Sequence, residues 1–429
     1  MERKKRFVQV GVGGRARFFY EALAKTYSDT SEITAFCDIN PIRLEFAQRN
    51  LVENFGYQKV NLYGVEDFDK MIEVEKPDCV IVTSIDRTHH KYIIRAMELG
   101  CDVISEKPMT TDSVKCQQII DAVKRTGKNL RVSFNYRYAP HHSQVRRLIM
   151  DGVIGDVKQI HFEWLLSTTH GADYFRRWHR DRRNSGGLLV HKATHHFDLV
   201  NFWMGTRPKQ VFAYGDLMFY GRENAENRGM TKFYYRAHGS ENAKEDPFAL
   251  HMEGKTNLEN LYLNAESADG YLRDQSVFGD GISIEDVMNV LVKYENGALM
   301  SYSLNAFSPK EGFRVVFTGT KGRMEVDVTE SSYINAGGKK CLEGSVQTRS
   351  IKVLPMFGAP YDVEMERAEG GHGGGDPVLL NDIFGVPEYD PLHRAASYID
   401  GAMSILTGIA ANRSIATGMP VNIEDLVRF

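Results

Sequence analysis

In the first third of the chain, short runs of apolar and β-branched residues alternate with longer stretches in which apolar positions recur every three or four residues. The runs are RFVQVGV, ITAFCDI, CVIVTS, CDVISEK and LRVSFNY, and the stretches between them predict helices near 18–27, 41–55, 91–99 and 113–126. Strands that are apolar at nearly every position bury both faces, so this alternation predicts a parallel sheet with helices on each side. Near Tyr138 the rhythm changes. After a helix over 141–150 comes the two-residue alternation of VKQIHFEWLL, KQVFAYGDLMFY, DVMNVLVKYENGALMSYSLNAF and FRVVFTGTKGRMEVDV. Joined by turns such as ENG and GTKG, these segments predict an antiparallel sheet. Residues 221–281 are polar and weakly periodic, and read either as an insertion forming a pocket wall or as a surface excursion. RAASYIDGAMSILTGIAANRS supplies a late helix that packs back on the body.

Composition changes this picture mainly by exclusion. The 429 residues exceed one ordinary core, so two domains are expected, 1–137 and 138–429. Charged residues at 25% and hydrophobic ones at 42%, with 13 Pro and 38 Gly, are the balance of a folded enzyme. A net charge of −3, with basic residues clustered only from Arg3 to Arg6, lacks the electrostatic footprint of nucleic-acid binding. The FVQVGVGG that follows is too short for a signal-peptide core or a membrane span, so neither is expected. The five cysteines are odd in number and form no CxxC pair, and most lie in apolar runs. They read as buried thiols of a reducing, cytoplasmic compartment.

Directly after the first run stands GVGGRA, in which Gly11 and Gly13 fill the first two positions of a GxGxxG/A pattern and Ala16 the last, with Gly14 and Arg15 between. Glycine there lets the backbone approach a pyrophosphate, and the following helix presents N–H groups and a positive dipole end. Asp38 ends the second run, about 20 residues further on, where a carboxylate accepts hydrogen bonds from an adenosine ribose. The plainer alternative is a turn that only joins strand to helix, with Asp38 capping the helix before Pro41. Strand, turn, helix and acid in this order favour a Rossmann dinucleotide site. The acid repels a 2′-phosphate, so NAD is expected over NADP, although Arg15 and Arg43 soften that preference.

CDVISEKP places Glu106 and Lys107 at the carboxyl end of a strand, where open α/β sheets bind ligands. SGGLLVHKATHHFDLVNFWMG predicts an amphipathic helix with His191, His195 and Asp198 at spacings that share one face. Oxidising a secondary alcohol needs a hydride route to a nicotinamide, a base for the hydroxyl proton, and positive charge for the developing alkoxide. His195 suits the base and Lys107 the charge. A surface lysine and core histidines are the bland alternatives; behind a dinucleotide-binding half, the set points to catalysis. His191 and His195 have the HxxxH spacing of zinc ligands, but HKATH lacks the glutamate of HExxH and no third ligand stands nearby, so no metal is expected. Thr83, Asp86 and His89 in VTSIDRTHH would line the nicotinamide side, while Asn135 and Arg137 in FNYRY would touch cofactor and substrate. DYFRRWHR offers Tyr174, Arg177, Trp178 and Arg180 as a stacking face and donors for a sugar ring, or else is a mixed surface segment. GGHGGGD brings His372 to the pocket or is a tight turn.

In these motifs the chain resembles the Gfo/Idh/MocA oxidoreductases. The resemblance spans nearly the whole sequence and rests on GVGGRA, on EKP at 106–108, and on the family pattern GG-x-L-x-D-x-G-x-H-x-x-D, here GGLLVHKATHHFD. It implies an N-terminal Rossmann doubly wound parallel sheet followed by an α+β domain with an open, mainly antiparallel sheet. It also implies that Lys107 is the catalytic lysine and that His195 exchanges a proton with the substrate hydroxyl. At 191 the family commonly has Asp; a histidine there is neutral or cationic where Asp would be anionic, which makes His191 a third catalytic candidate. The forms HKATHHFD, DYFRRWHRDRRNSGG and GGHGGGD are similar to a subgroup acting on glycosides, some of whose members oxidise the sugar only transiently. The expected activity is NAD-dependent oxidoreduction at a secondary hydroxyl of a sugar or glycoside. Its rivals are a glycosidase, epimerase or lyase that turns over without net NADH, and a non-catalytic NAD or sugar sensor. A homo-oligomer through the open sheet face is expected, since an uncovered apolar face invites a partner.

Overall fold

The computed structural model describes residues 3–331, 348–366, 371–386 and 388–429. Its first sheet is parallel and has six strands: β1 (Lys5–Val10), β2 (Ser31–Cys37), β3 (Asn61–Tyr63), β4 (Cys79–Val82), β5 (Asp102–Ser105) and β6 (Leu130–Val132). They lie in the order β3-β2-β1-β4-β5-β6. The order reverses between β1 and β4, so a crevice opens beyond the carboxyl ends of these two strands. β4 is buried at every position, as a central strand covered on both faces must be. β3 is exposed at two of its three positions and carries no apolar run, which is why the sequence pattern did not show it.

Helix ends are set by caps. The Asn40 side chain accepts from the N–H groups of Ile42 and Arg43, at 3.1 and 3.2 Å, and so starts the helix Pro41–Arg49, which continues as a π-helical turn Asn50–Asn54. Asp112 caps Ser113–Thr126 and Gly127, at φ 65°, ends it. The run LRVSFNY is a strand only to Val132. Asn135–Tyr138 form a 3-10 turn, so Asn135 and Arg137 lie beyond the strand rather than at its end.

The second sheet adds β7 (Val157–Ser167), β8 (Pro208–Asp216), β9 (Val287–Tyr294), β10 (Leu299–Ser308), β11 (Glu311–Gly319), β12 (Gly322–Ser331), β13 (Thr348–Pro355), β14 (Tyr361–Val363) and β15 (Val421–Asn422). Their order is β14-β13-β12-β11-β7-β10-β9-β8-β15, antiparallel throughout except for β7 against β10. Met288, Val290, Val292 and Tyr294 of β9 point inward, while Tyr214, Leu291 and Leu299 stand exposed on the outer face. The helix Tyr398–Thr417, opened by a capping box of Ser397 and Asp400, packs under β8 and against the helices Leu188–His191 and Ala193–Met204. Late segments also complete the first domain: Val132 N–H donates to the Ala396 carbonyl at 3.1 Å, and the Phe384 ring meets Phe7 edge-on at 5.1 Å. Among the described residues no helix is long and apolar enough to cross a membrane. Cys37, Cys79, Cys101 and Cys116 are buried free thiols; Cys341 lies outside the described residues.

Candidate active site

β1 ends at Val10 and the chain turns at once. Gly11 has φ 85°, and a Cβ there would stand 2.5 Å from the Ser84 backbone, so only glycine closes the turn. No atom lies within 4 Å of where a Gly13 Cβ would be, which leaves space for a group laid against the backbone. Ala16 is fully buried, its carbonyl accepting from Gln9 Nε2 at 3.1 Å, and it packs helix to strand. Asp38, just past β2, accepts from Val12 N–H at 2.7 Å and Asn40 N–H at 2.8 Å, which fixes the acid beside the glycine turn. Thr83 braces the same turn, its hydroxyl donating to the Gly11 carbonyl at 2.5 Å. A positive-φ turn, open space over Gly13 and a fixed carboxylate fit a dinucleotide.

The insertion 221–281 lies against this turn, as a wall would. Tyr262, just after the helix Thr256–Leu261, accepts from the Gly14 N–H at 3.2 Å. Asn40 Nδ2 donates to the Ala265 carbonyl at 2.9 Å, and Arg43 pairs with both Asp38, at 3.3 Å, and Asp269. Tyr262 and Asp269 carried no signal in the sequence, because their partners lie more than 220 positions away along the chain.

After β5, Glu106 binds Arg15 at 2.7 Å, and the Arg15 guanidinium lies 3.8 Å over the Phe18 ring. Lys107 reaches the His191 carbonyl with its Nζ at 3.5 Å. Asp86, opening a 3-10 turn after β4, meets His191 Nδ1 at 2.5 Å, and both residues are buried. Burial pushes the Asp86 carboxyl well above the usual carboxylate range, although Lys107 and Arg177 oppose it. Burial, reinforced by Lys107 and His179, holds His191 well below an ordinary histidine. Both shifts disfavour charge on either member of the pair. The His179 ring is 4.1 Å from that of His191 and stacks on Trp178 at 3.5 Å, with Tyr174 at 5.5 Å from both histidines.

The expected single histidine helix is broken at Lys192, and its three residues part company. His191 faces Asp86. His195 is buried with its ring 4.5 Å from Tyr136 and 6.0 Å from Phe134. Asp198 is held by Arg137 at 2.6 and 2.7 Å. This corrects the expectation for Arg137: it is 2% exposed and also bound to Asp400 at 3.0 Å, a core ion pair closed to substrate. Arg180 is likewise spent on structure, donating to the carbonyls of Ser276 and Asp280 at 3.2 and 2.6 Å and so anchoring the insertion. His89 is buried between the carbonyls of Ser84 and Pro108, at 2.9 and 2.8 Å, and shapes the loop carrying Lys107 instead of lining an open crevice. Asn135 donates to Asp376 at 2.8 Å. The side chain of His372 lies outside the described residues. Among the described residues, Asp86, His179 and His191 each bring a potential ligand atom within 4.8 Å of the others, a trio that the HxxxH spacing did not indicate. Lys107 and Arg177 act on Asp86 and His191 with two positive charges, which oppose a divalent cation there.

A parallel sheet with a dinucleotide turn at its switch point, joined to a second domain that contributes buried ionisable residues beside it, defines an NAD-binding oxidoreductase. The description "Oxidoreductase family, NAD-binding Rossmann fold" matches residues 5–134 and "Oxidoreductase family, C-terminal alpha/beta domain" matches residues 146–423; the chain belongs to the Gfo/Idh/MocA oxidoreductase family. It is 37% identical over 435 residues to the oxidoreductase YteT of Bacillus subtilis (strain 168), with 98% of each chain covered. It is 32% identical over 148 residues to the D-glucoside 3-dehydrogenase of Escherichia coli (strain K12), covering 34% of this chain and 40% of that one. The solved aldose-aldose oxidoreductase of Caulobacter crescentus, complexed with glycerol, shares the fold at TM-score 0.63 and 18% identity, over 98% of this chain and all of that one.

Proposed function

We propose that the protein transfers hydride between NAD and a secondary hydroxyl of a sugar or glycoside. The observation that carries this reading is the buried Asp86–His191 pair, 2.5 Å apart, with Lys107 3.5 Å from the His191 backbone. Gly11, Gly13 and Asp38 would hold the dinucleotide, which supplies the hydride acceptor when bound. Arg43, shared between two carboxylates, is already neutralised, which supports NAD over NADP. The Asp86–His191 pair takes the hydroxyl proton, and Lys107 stabilises the alkoxide that forms. His195, at the family's proton-exchanging position, is the second candidate for that step. The inositol dehydrogenases and the D-glucoside 3-dehydrogenase among the relatives support this substrate class.

The deciding experiment records nicotinamide absorbance with excess NAD and a panel of glycosides while chromatography follows the sugars. Stoichiometric NADH with a keto-sugar is the expected result. Glycoside cleavage without net NADH would transfer the assignment to transient oxidation. One observation favours that second reading: the insertion lies across the glycine turn, an arrangement that keeps the dinucleotide in place between turnovers. Removing two of its contacts in a Tyr262→Ala/Asp269→Ala variant is expected to speed NADH release about tenfold, at about 1.4 kcal/mol for the pair. Displacement followed by NADH fluorescence measures it, and an unchanged rate would leave the insertion no part in retention. Asp86→Asn is expected to cost about a hundredfold in kcat. The acidic limb of the oxidation profile, where the pair takes up its proton, should disappear with it; a wild-type profile in this variant would exclude the pair from proton transfer.

A further inference from the structure

Beside the Asp86–His191 pair lies an excess of buried positive charge. Asp173, on the helix Thr168–Arg176, meets three guanidinium groups: Arg176 at 3.2 Å, Arg177 at 3.2 Å and Arg273, from the insertion, at 2.8 Å through both terminal nitrogens. Among the described residues it is the only carboxylate within ion-pair distance of any of the three, so three guanidinium groups share one carboxylate there. Arg176 and Arg273 are more than nine-tenths buried. Around the cluster, Arg177 Nε, Arg273 Nε, the Tyr271 hydroxyl and His179 Nδ1 are buried polar atoms with no hydrogen-bond partner among the described residues. Both guanidinium nitrogens can only donate, and the hydroxyl donates as well, as does His179 Nδ1 in the tautomer that places the proton there. A buried donor set with surplus positive charge calls for an acceptor that is itself anionic.

Its position narrows what that acceptor belongs to. The His179 ring stands 4.1 Å from His191, while Arg273 lies 5.6 Å from the Tyr262 ring, which meets Tyr271 edge-on at 6.0 Å. The donors therefore run from the proton-transfer pair toward the residue that touches the glycine turn. A neutral hydroxyl would satisfy the hydrogen bonds and leave the charge. A carboxylate satisfies both, and its planar oxygens suit paired guanidinium donors.

We infer that the substrate is an acidic sugar whose carboxylate is received by Arg177, Arg273, Tyr271 and His179. This rests on the proposed sugar oxidoreductase reading and deepens it. The competing source of the same chemistry is the pyrophosphate of the dinucleotide, so binding is measured with the cofactor already in place. The holoenzyme with NADH is titrated calorimetrically with methyl glucuronide and methyl galacturonide, each against its neutral methyl glycoside. At least one acid is expected to bind about a hundredfold more tightly than its neutral partner, with a preference that weakens as salt is added. Arg177→Gln and Arg273→Gln, each tested separately in case one does not fold, should erase the preference and leave the affinity for NADH intact. Equal binding of acid and neutral sugar in both pairs would overturn the inference. So would a loss of NADH affinity in both variants with the sugar preference unchanged, which would assign the donors to the pyrophosphate. Turnover is read separately: acid-selective binding with neither NADH nor a changed sugar would refute the oxidoreductase reading and leave the anion site standing.

Discussion

Lys107→Met is expected to lower kcat by about two to three orders of magnitude, about 3–4 kcal/mol of transition-state stabilisation, with NAD affinity unchanged. Methionine keeps most of the stem and removes the charge, so the backbone after β5, held by the Glu106–Arg15 pair and by His89 on the Pro108 carbonyl, has no reason to shift. The ammonium also opposes protonation of both Asp86 and His191. Without it the pair binds its proton more tightly, so the residual oxidation rate should have its acidic limb displaced to higher pH. Lys107→Arg restores charge but in a broader, planar group, and should recover only part of the rate. Single-turnover NADH formation measures all three properties. A Lys107→Met enzyme as fast as the wild type would remove Lys107 from the chemical step.

The second large effect is on stability. Arg137→Met should destabilise the protein by about 3–5 kcal/mol, because it leaves the buried Asp198 carboxylate without its bidentate partner. Burial pushes Asp198 up to about 6 even with Arg137 in place. In the variant that value rises further, and the carboxyl escapes part of the penalty by holding a proton. A folded-state pKa above the unfolded one means that stability is retained at low pH and lost as pH rises through the folded value. The deficit should therefore be larger above the Asp198 value than below it, as denaturant unfolding at two pH values would show. A variant of unchanged stability with impaired sugar binding would return Arg137 to the substrate site.

Periodicity carried the order of elements because burial on two faces, on one face or on a stripe leaves distinct repeats in the sequence. The β1 turn was legible for a local reason: Gly11 must adopt a positive φ against the Ser84 backbone, and Asp38 follows in the same βαβ unit. Lys107 stood out because a strand, an acid and a proline frame it. Helical spacing misled at the histidines, since a break at Lys192 sends His191, His195 and Asp198 to three different neighbours. Arg137 and Arg180 look in sequence like donors for a ligand; only their partners, Asp198 and the carbonyls of the insertion, show that they are already bound.

By itself, then, the sequence determined the Rossmann half with its cofactor turn, the family, and the lysine and histidines offered for chemistry. These depend on contacts within one supersecondary unit or on motifs whose spacing is fixed by it. The tertiary structure decided the Asp86–His191 pair, the docking of Arg273 on Asp173 and the insertion over Gly14, because each joins residues about 100 or more positions apart. Which partner a buried charge finds depends on how the two domains pack, and no local periodicity records that.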